Sequence, residues 1–283
     1  MKIDLAIRPV VPTISIRITH NQAIRFSSIV KEGSLRYRGR IEMNVKMMVI
    51  GGSGAGKTHV MATFPKVYAL MTEPEGEITW ECKPALKKNI VGVADLRPAT
   101  NEELKDLFEK KLGESIATAK KLQQEGKVET LGIDNFTYLI NNRWEYECQY
   151  NTQYSKQGEV NKLAMYAELG RWAYKFVLMS VLTFKGNVVV NCHEQMENEE
   201  ALLRKPNSDN PIVPNIIGGF RNTAEGMFSL VVYLSKISRN GKLEYWARTN
   251  MGNRRNAKSR FPLPATLRDL SYKVIQESIT KQQ

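Results

Sequence analysis

Residues 47–65 read MMVIGGSGAGKTHVMATFP. A short apolar run enters a glycine loop, and a helix-forming run leaves it. Gly51, Gly56, Lys57 and Thr58 stand in the register G-x-x-x-x-G-K-[ST]. In that register the glycines let backbone N–H groups converge on one point, at the positive end of the following helix. A nest of this kind suits phosphate oxygens. The pattern predicts a nucleotide site formed by Gly51, Gly52, Ser53, Gly54, Ala55, Gly56, Lys57, Thr58 and His59. Lys57 would bridge the β- and γ-phosphates, and Thr58 would offer its hydroxyl to Mg²⁺. Pro65 stops the helix after barely two turns.

The rest of the chain supplies what such a loop needs around it. "KVYALMTEPEG" and "NIVGVADLRP" read as further buried strands. A helix follows, with Thr100 and Glu103 in capping-box spacing and Leu104, Leu107, Phe108 and Leu112 on one face; Gly126 ends it. "VETLGIDNFTYL" is a strand that emerges at Asp134, and a long helical pattern covers about 162–184. "NVVVNCHEQ" and "MFSLVVYLS" are two more strands. Asn240-Gly241 then signals a two-residue hairpin into "LEYWART". Strands alternating with helices predict an α/β fold, with a mainly parallel sheet, helices on both faces and an antiparallel edge hairpin. The stretch 196–224, polar and rich in Asn, Pro and Gly, reads as the least structured.

Residues 43–283 form one predicted domain, and 1–42 a basic extension. "TISIRIT" within it alternates Ile14, Ile16 and Ile18 with polar residues. The extension fits a small β appendage, an organelle transit peptide, or sequence upstream of a start near Met43. No apolar run reaches the ~18 residues of a membrane-spanning helix, so no membrane partner is expected. Cys82, Cys148 and Cys192 are far apart and lack C-x-x-C spacing, which points to reduced thiols in the cytoplasm.

The formal charge of +12 is concentrated at the ends. Residues 1–46 hold nine Lys/Arg against three Asp/Glu (9 − 3 = +6), and residues 236–283 hold eleven against three (11 − 3 = +8). The middle carries 12 − 6 − 8 = −2. Clustered cations favour polyanions through counterion release, and equally keep a protein soluble.

Catalysis at a phosphate loop needs three further groups. A carboxylate at the end of a neighbouring strand holds Mg²⁺, and Asp134, closing "LGID", is placed for it. Glu73 and Glu75 end the strand after the loop's helix, so either can reach the γ-phosphate; Glu73, nearer the strand end, is preferred. His193 closes "VVVNCH" on the same sheet edge, where it can hydrogen-bond the γ-phosphate and report its loss.

"GGSGAGKT", "ATFPKVYALMTEPEG", "LGIDNFTYL", "VVVNCHEQ" and "NAKSRF", in this order, resemble the compact RecA-like and AAA-family P-loop NTPases of phages, a group that includes the Sak-type single-strand annealing proteins. The resemblance spans about residues 43–275 and is most specific at the phosphate loop. It implies an ATP- and Mg²⁺-dependent RecA-like core that forms homo-oligomeric rings or filaments and works on single-stranded DNA, with a single-strand binding protein as a further partner. By the same likeness Glu73 activates water, Asp134 holds Mg²⁺, His193 senses the γ-phosphate, and Lys258 and Arg260 reach a neighbour's nucleotide. Asn135, where many relatives carry a small hydroxyl residue, and Gly132, which breaks the apolar run before Asp134, depart from the pattern.

Such cores contact DNA through loops after the Asp strand and the sensor strand, here about 141–160 and 196–224. The first offers Trp144, Tyr146, Tyr150 and Tyr154 for base stacking. Glu145 and Glu147 lie among them, which favours aromatics packing a helix onto the core. The second offers Arg204, Lys205 and Arg221. Arg239, Lys242, Arg248, Arg254 and Arg255 make a better electrostatic candidate, or a subunit interface. Two rival readings of the whole chain remain: a small-molecule phosphotransferase whose "NRRNAKSR" run serves as a lid, and a nucleotide-gated assembly module with little hydrolysis.

Overall fold

The computed structural model describes residues 44–151, 155–156, 159–196, 212–217, 219–251 and 255–281. The extension 1–42, Tyr154, Arg204, Lys205 and Arg254, all singled out above, lie outside the described residues.

The chain opens with β1 (Lys46–Gly51), whose last five residues are all buried, as befits a central strand covered on both faces. The glycine loop leads into α1 (Lys57–Ala62), then β2 (Val67–Met71), two four-residue helices α2 (Ile78–Glu81) and α3 (Pro84–Lys87), and β3 (Ile90–Asp95). Neither short helix was foreseen, since one turn leaves no periodicity to read. The capping box is present: Thr100 Oγ1 accepts from Glu103 N at 3.2 Å, while Glu103 Oε2 accepts from Ala99 N at 2.7 Å. It starts α4 (Asn101–Asp106), which passes through a wide π-type turn (Leu107–Lys111) into α5 (Leu112–Gln124).

After β4 (Thr130–Asp134) a helix forms, the favoured of the two readings of this segment. Asn135 caps a fifteen-residue helix, α6 (Phe136–Tyr150), with its side chain accepting from Thr137 N at 2.9 Å. Its aromatics pack on their neighbours, the arrangement that the interleaved Glu145 and Glu147 favour over base stacking. Trp144 stacks on Tyr166 at 4.7 Å between centroids, and Tyr146 lies 5.4 Å from Phe108. A two-residue hairpin, β5 (Ser155–Lys156) and β6 (Glu159–Val160), precedes α7 (Lys162–Lys175) and a second wide turn, Phe176–Val181.

Strand β7 (Asn187–Cys192) runs into β8 (Glu194–Met196), which pairs antiparallel with β9 (Ile212–Pro214). Helix α8 (Arg221–Met227) follows, so the stretch expected to be irregular carries ordered elements at both ends. Strands β10 (Leu230–Arg239) and β11 (Lys242–Arg248) form the predicted hairpin, with Asn240 at φ +51° and Gly241 at φ +72°. The short strands β12 (Lys258–Ser259) and β13 (Thr266–Arg268) and the helix α9 (Tyr272–Thr280) complete the chain.

Among the described residues nine strands form one sheet, ordered β13-β11-β10-β1-β7-β4-β2-β3 with β12 beside β10. From β10 to β3 every pairing is parallel; β11, β12 and β13 join antiparallel at one side. The expected mainly parallel α/β sheet with an antiparallel edge is what forms. The pleat of β1 sends Met48 and Ile50 to a core shared with α5, α6 and α7, and Met47 and Val49 to one shared with α1 and α9. Gly132, the break in the apolar run of β4, has a packing reason: a Cβ there would meet Met61 Sδ at 2.5 Å. Glycine lets α1, and the phosphate loop with it, sit down on the sheet.

Candidate nucleotide site

The phosphate loop caps the carboxyl end of β1. Gly54 and Gly56 hold φ values of +68° and +95°, a conformation that side chains disfavour, and this turns the loop's N–H groups inward. Lys57 is 4% exposed. Its ammonium donates to Gly51 O and Gly52 O, both at 3.0 Å, and lies 3.3 Å from His193 Nδ1. Three protons meet three acceptors, the ones with which phosphate oxygens would compete. Burial lowers the Lys57 pKa, while the carboxylates of Glu73 and Asp134 work in the opposite direction.

Lysine can only donate, so His193 Nδ1 accepts and its proton resides on Nε2. That nitrogen faces Glu73 Oε1 at 3.4 Å. Asn135 Nδ2 donates to the other Glu73 oxygen at 3.0 Å. Burial pushes the Glu73 carboxyl up, yet the bonds from His193 and Asn135 outweigh it and hold the group below its ordinary value. Asn135 thus both caps α6 and orients the carboxylate. Glu75, the alternative, is exposed and at φ +60°.

Asp134 is fully buried at the end of β4. Thr58 Oγ1 donates to its Oδ2 at 2.6 Å, and Asn191 Nδ2 donates to its Oδ1 at 2.9 Å. Burial raises the Asp134 pKa and these two bonds oppose it. The backbone reinforces the arrangement: Thr72 N and Glu73 N both donate to Asp134 O, at 2.7 and 3.1 Å. Thr72 Oγ1 also receives Asn135 N at 2.8 Å, so β2 and β4 are tied together where Glu73 leaves the sheet. Sequence reading missed Asn191 and Thr72. Both are polar residues within or just beyond apolar strands, and that intrusion was the available signal.

A hydroxyl and one carboxylate side by side are hard oxygen donors that suit Mg²⁺, which takes its remaining ligands from water and phosphate. Among the described residues no group of three or more His, Cys, Asp or Glu could hold a metal.

A cleft of about 610 Å³ opens beside the loop, between residues 54–60, the segment 73–83 and the β10–β11 hairpin. Tyr245 borders it and lies 3.6 Å from where a Cβ on Gly56 would be; Asp269 and Leu270 close its far side. On the opposite face of the hairpin, Arg239, Arg248 and Arg255 line a second groove of about 410 Å³ with Trp246. Arg255 is paired there with Glu194 at 3.2 Å.

The structure thus brings Lys57, Thr58, Asp134, Glu73 and His193 to one place. It does not bring Lys258 and Arg260 there. Strand β12 pairs with Leu230 and Val231, at the start of β10, whereas the loop adjoins Leu234 further along. Lys258 Nζ donates to Gly226 O at 3.0 Å, and Arg260 is exposed. Among the described residues no helix is long and apolar enough to cross a membrane.

Residues 43–261 match the family described as an AAA domain, which is well over half of the chain. The chain belongs to that family. This AAA domain is of the P-loop NTPase superfamily, with the nucleotide-binding loop at its centre. A solved structure, a KaiC-like protein from the hyperthermophilic archaeon Pyrococcus horikoshii OT3, aligns over 80% of this chain and 89% of its own, at 12% identity and a TM-score of 0.41. No curated protein matches the chain.

Proposed function

We propose that this AAA-domain protein binds and hydrolyses ATP with Mg²⁺, in the cytoplasm, and acts on single-stranded DNA in recombination, annealing or replication of the phage type, as Sak-type annealing proteins do. The observation that carries the enzymatic part is the contact of Thr58 Oγ1 with Asp134 Oδ2 at 2.6 Å, at the mouth of the loop and beside Glu73 and His193. Bound Mg²⁺ would neutralise phosphate charge and align the β- and γ-oxygens. Thr58 and Asp134 would hold it, with Asn191 fixing the carboxylate.

The remaining roles belong to the chain itself. Lys57 exchanges its loop carbonyls for β- and γ-oxygens. Glu73, kept ionised by Asn135 and His193, orients the attacking water and takes its proton. His193, touching both Lys57 and Glu73, changes partners when the terminal phosphate departs. Lys258 and Arg260, remote from the loop of their own protomer, serve a neighbour's nucleotide in a homo-oligomer.

Support for the DNA part is electrostatic: the +8 charge of residues 236–283 and the arginine-lined groove behind the hairpin. The test is phosphate release from ATP with and without a single-stranded oligonucleotide, using Lys57→Ala to exclude contaminants. Stimulation that fades as salt rises is the expected result. Turnover indifferent to DNA would remove the DNA part, and turnover that needs a small-molecule acceptor would mark a phosphotransferase.

A further inference from the structure

Gly54 has no side chain, yet the place where one would stand is filled. The ammonium of Lys236, reaching over from β10, lies 2.9 Å from the position of a Cβ on Gly54. Lys236 is exposed and makes no ion pair among the described residues. It stands opposite Tyr245 in the hairpin register, and Tyr245 in turn covers Gly56. The near side of the hairpin therefore closes over the rim of the phosphate loop with one ring and one free cation. An unpaired ammonium left beside a nest of N–H donors raises the positive potential where phosphates would bind.

Resting on the reading of this loop as an NTP-hydrolysing site, we propose that Lys236 is a catalytic residue acting within its own protomer. Its ammonium meets the oxygen that bridges the β- and γ-phosphates. In hydrolysis the water oxygen bonds to the γ-phosphorus, and the bond from that phosphorus to the bridging oxygen breaks. The electron pair stays on the nucleoside diphosphate, and the water proton passes to Glu73. Charge grows on the bridging oxygen during this step, beside Gly54, and a cation there stabilises the transition state more than the bound substrate. Lys57 holds the phosphates in both states, whereas Lys236 acts mainly when charge shifts. Lys236 thus supplies a cation from within the protomer, alongside those that Lys258 and Arg260 of a neighbour supply in an oligomer.

The experiment uses the full chain at a concentration where it is monomeric. Lys236→Met should lower single-turnover hydrolysis about 100-fold, the scale for losing one preorganised transition-state donor. Its affinity for ATP should stay within about threefold, because the bridging oxygen carries little charge until its bond to the γ-phosphorus breaks. The affinity of ADP with aluminium fluoride, which mimics the transferring phosphoryl group, should fall with the rate. Lys236→Arg, which keeps the charge, should recover most of the activity.

Unchanged turnover in Lys236→Met would overturn the proposal. So would a loss of ATP affinity as large as the loss of rate. Restored activity on mixing Lys236→Met with Lys57→Ala, whose Lys236 is intact, would overturn the assignment within the protomer. Failure of the parent reading looks different: the wild type itself would neither bind nor hydrolyse nucleotide, and Lys57→Ala would be indistinguishable from it.

Discussion

Replacing Asn191 with leucine tests how Asp134, the carboxylate proposed to hold Mg²⁺, is positioned. Asn191 is fully buried on β7 and donates to Asp134 Oδ1 at 2.9 Å, while Thr58 occupies the other carboxylate oxygen. Leucine is of similar bulk but offers no donor, so Asp134 keeps its burial and loses one of its two side-chain hydrogen bonds. A hydrogen bond to a charged group contributes about 1.5–3 kcal/mol. At 1.4 kcal/mol per factor of ten, that is about 10- to 100-fold in affinity. The same range applies to groups that orient a metal ligand without touching the metal. The Mg²⁺ concentration that half-saturates ATP hydrolysis should therefore rise by about one to two powers of ten, while ADP binding in a chelator stays near wild type. Stability should change less than Mg²⁺ affinity, because Asn191 Oδ1 is buried without a partner among the described residues and leucine removes that orphan as well. The assay is a Mg²⁺ titration at saturating ATP, with thermal unfolding as control. An unchanged Mg²⁺ requirement would refute the reasoning, since Asp134 would then need no support from β7.

Glu73→Gln should reduce turnover by about 10²- to 10⁴-fold, the usual range for a general base, with ATP affinity preserved in equilibrium binding. Gly132→Ala should destabilise by about 1–3 kcal/mol through the clash with Met61, seen as a melting temperature lower by about 2–12 °C. It should weaken nucleotide binding too, because α1 is displaced. Lys46 gives a pH signature. Burial draws its ammonium down from the ordinary 10.5 to about 8, so between those values the unfolded chain binds the proton that the folded chain has released. Stability from this group therefore rises with pH across that window, and urea midpoints for wild type should gain on those of Lys46→Met between pH 7.5 and 10.

Why the core was legible and its rim was not comes down to what a pattern can encode. The phosphate loop is read from spacing because each position has a separate steric or electrostatic job. Asp134 and His193 are read because a buried strand that ends in a polar residue at the loop's edge of the sheet has few other reasons to do so. Helix α6 was obscured by Asn135, which looks like a loop residue but is a cap, and by aromatics that suit either a loop or a packed face. Arg143 settles the face: it ion-pairs with buried Glu147 and lies about 5 Å from the rings of Phe108, Tyr146 and Trp172. Asn191 and Lys236 act across strands far apart in sequence, and no local pattern records which strands become neighbours. The hairpin turn was plain from Asn240-Gly241; which of its faces meets the loop was not, because Lys236 and Tyr245 become partners only through the register of β10 and β11.

In the proposed function, Lys57, Thr58, Asp134 and Glu73 form one Mg²⁺-dependent hydrolytic site. The most direct test is phosphate release from ATP by purified wild type, Lys57→Ala and Asp134→Asn, each with Mg²⁺ and with a chelator. Turnover only in wild type and only with Mg²⁺ is the predicted result. Release that persists in Asp134→Asn, or that ignores the chelator, would contradict the account.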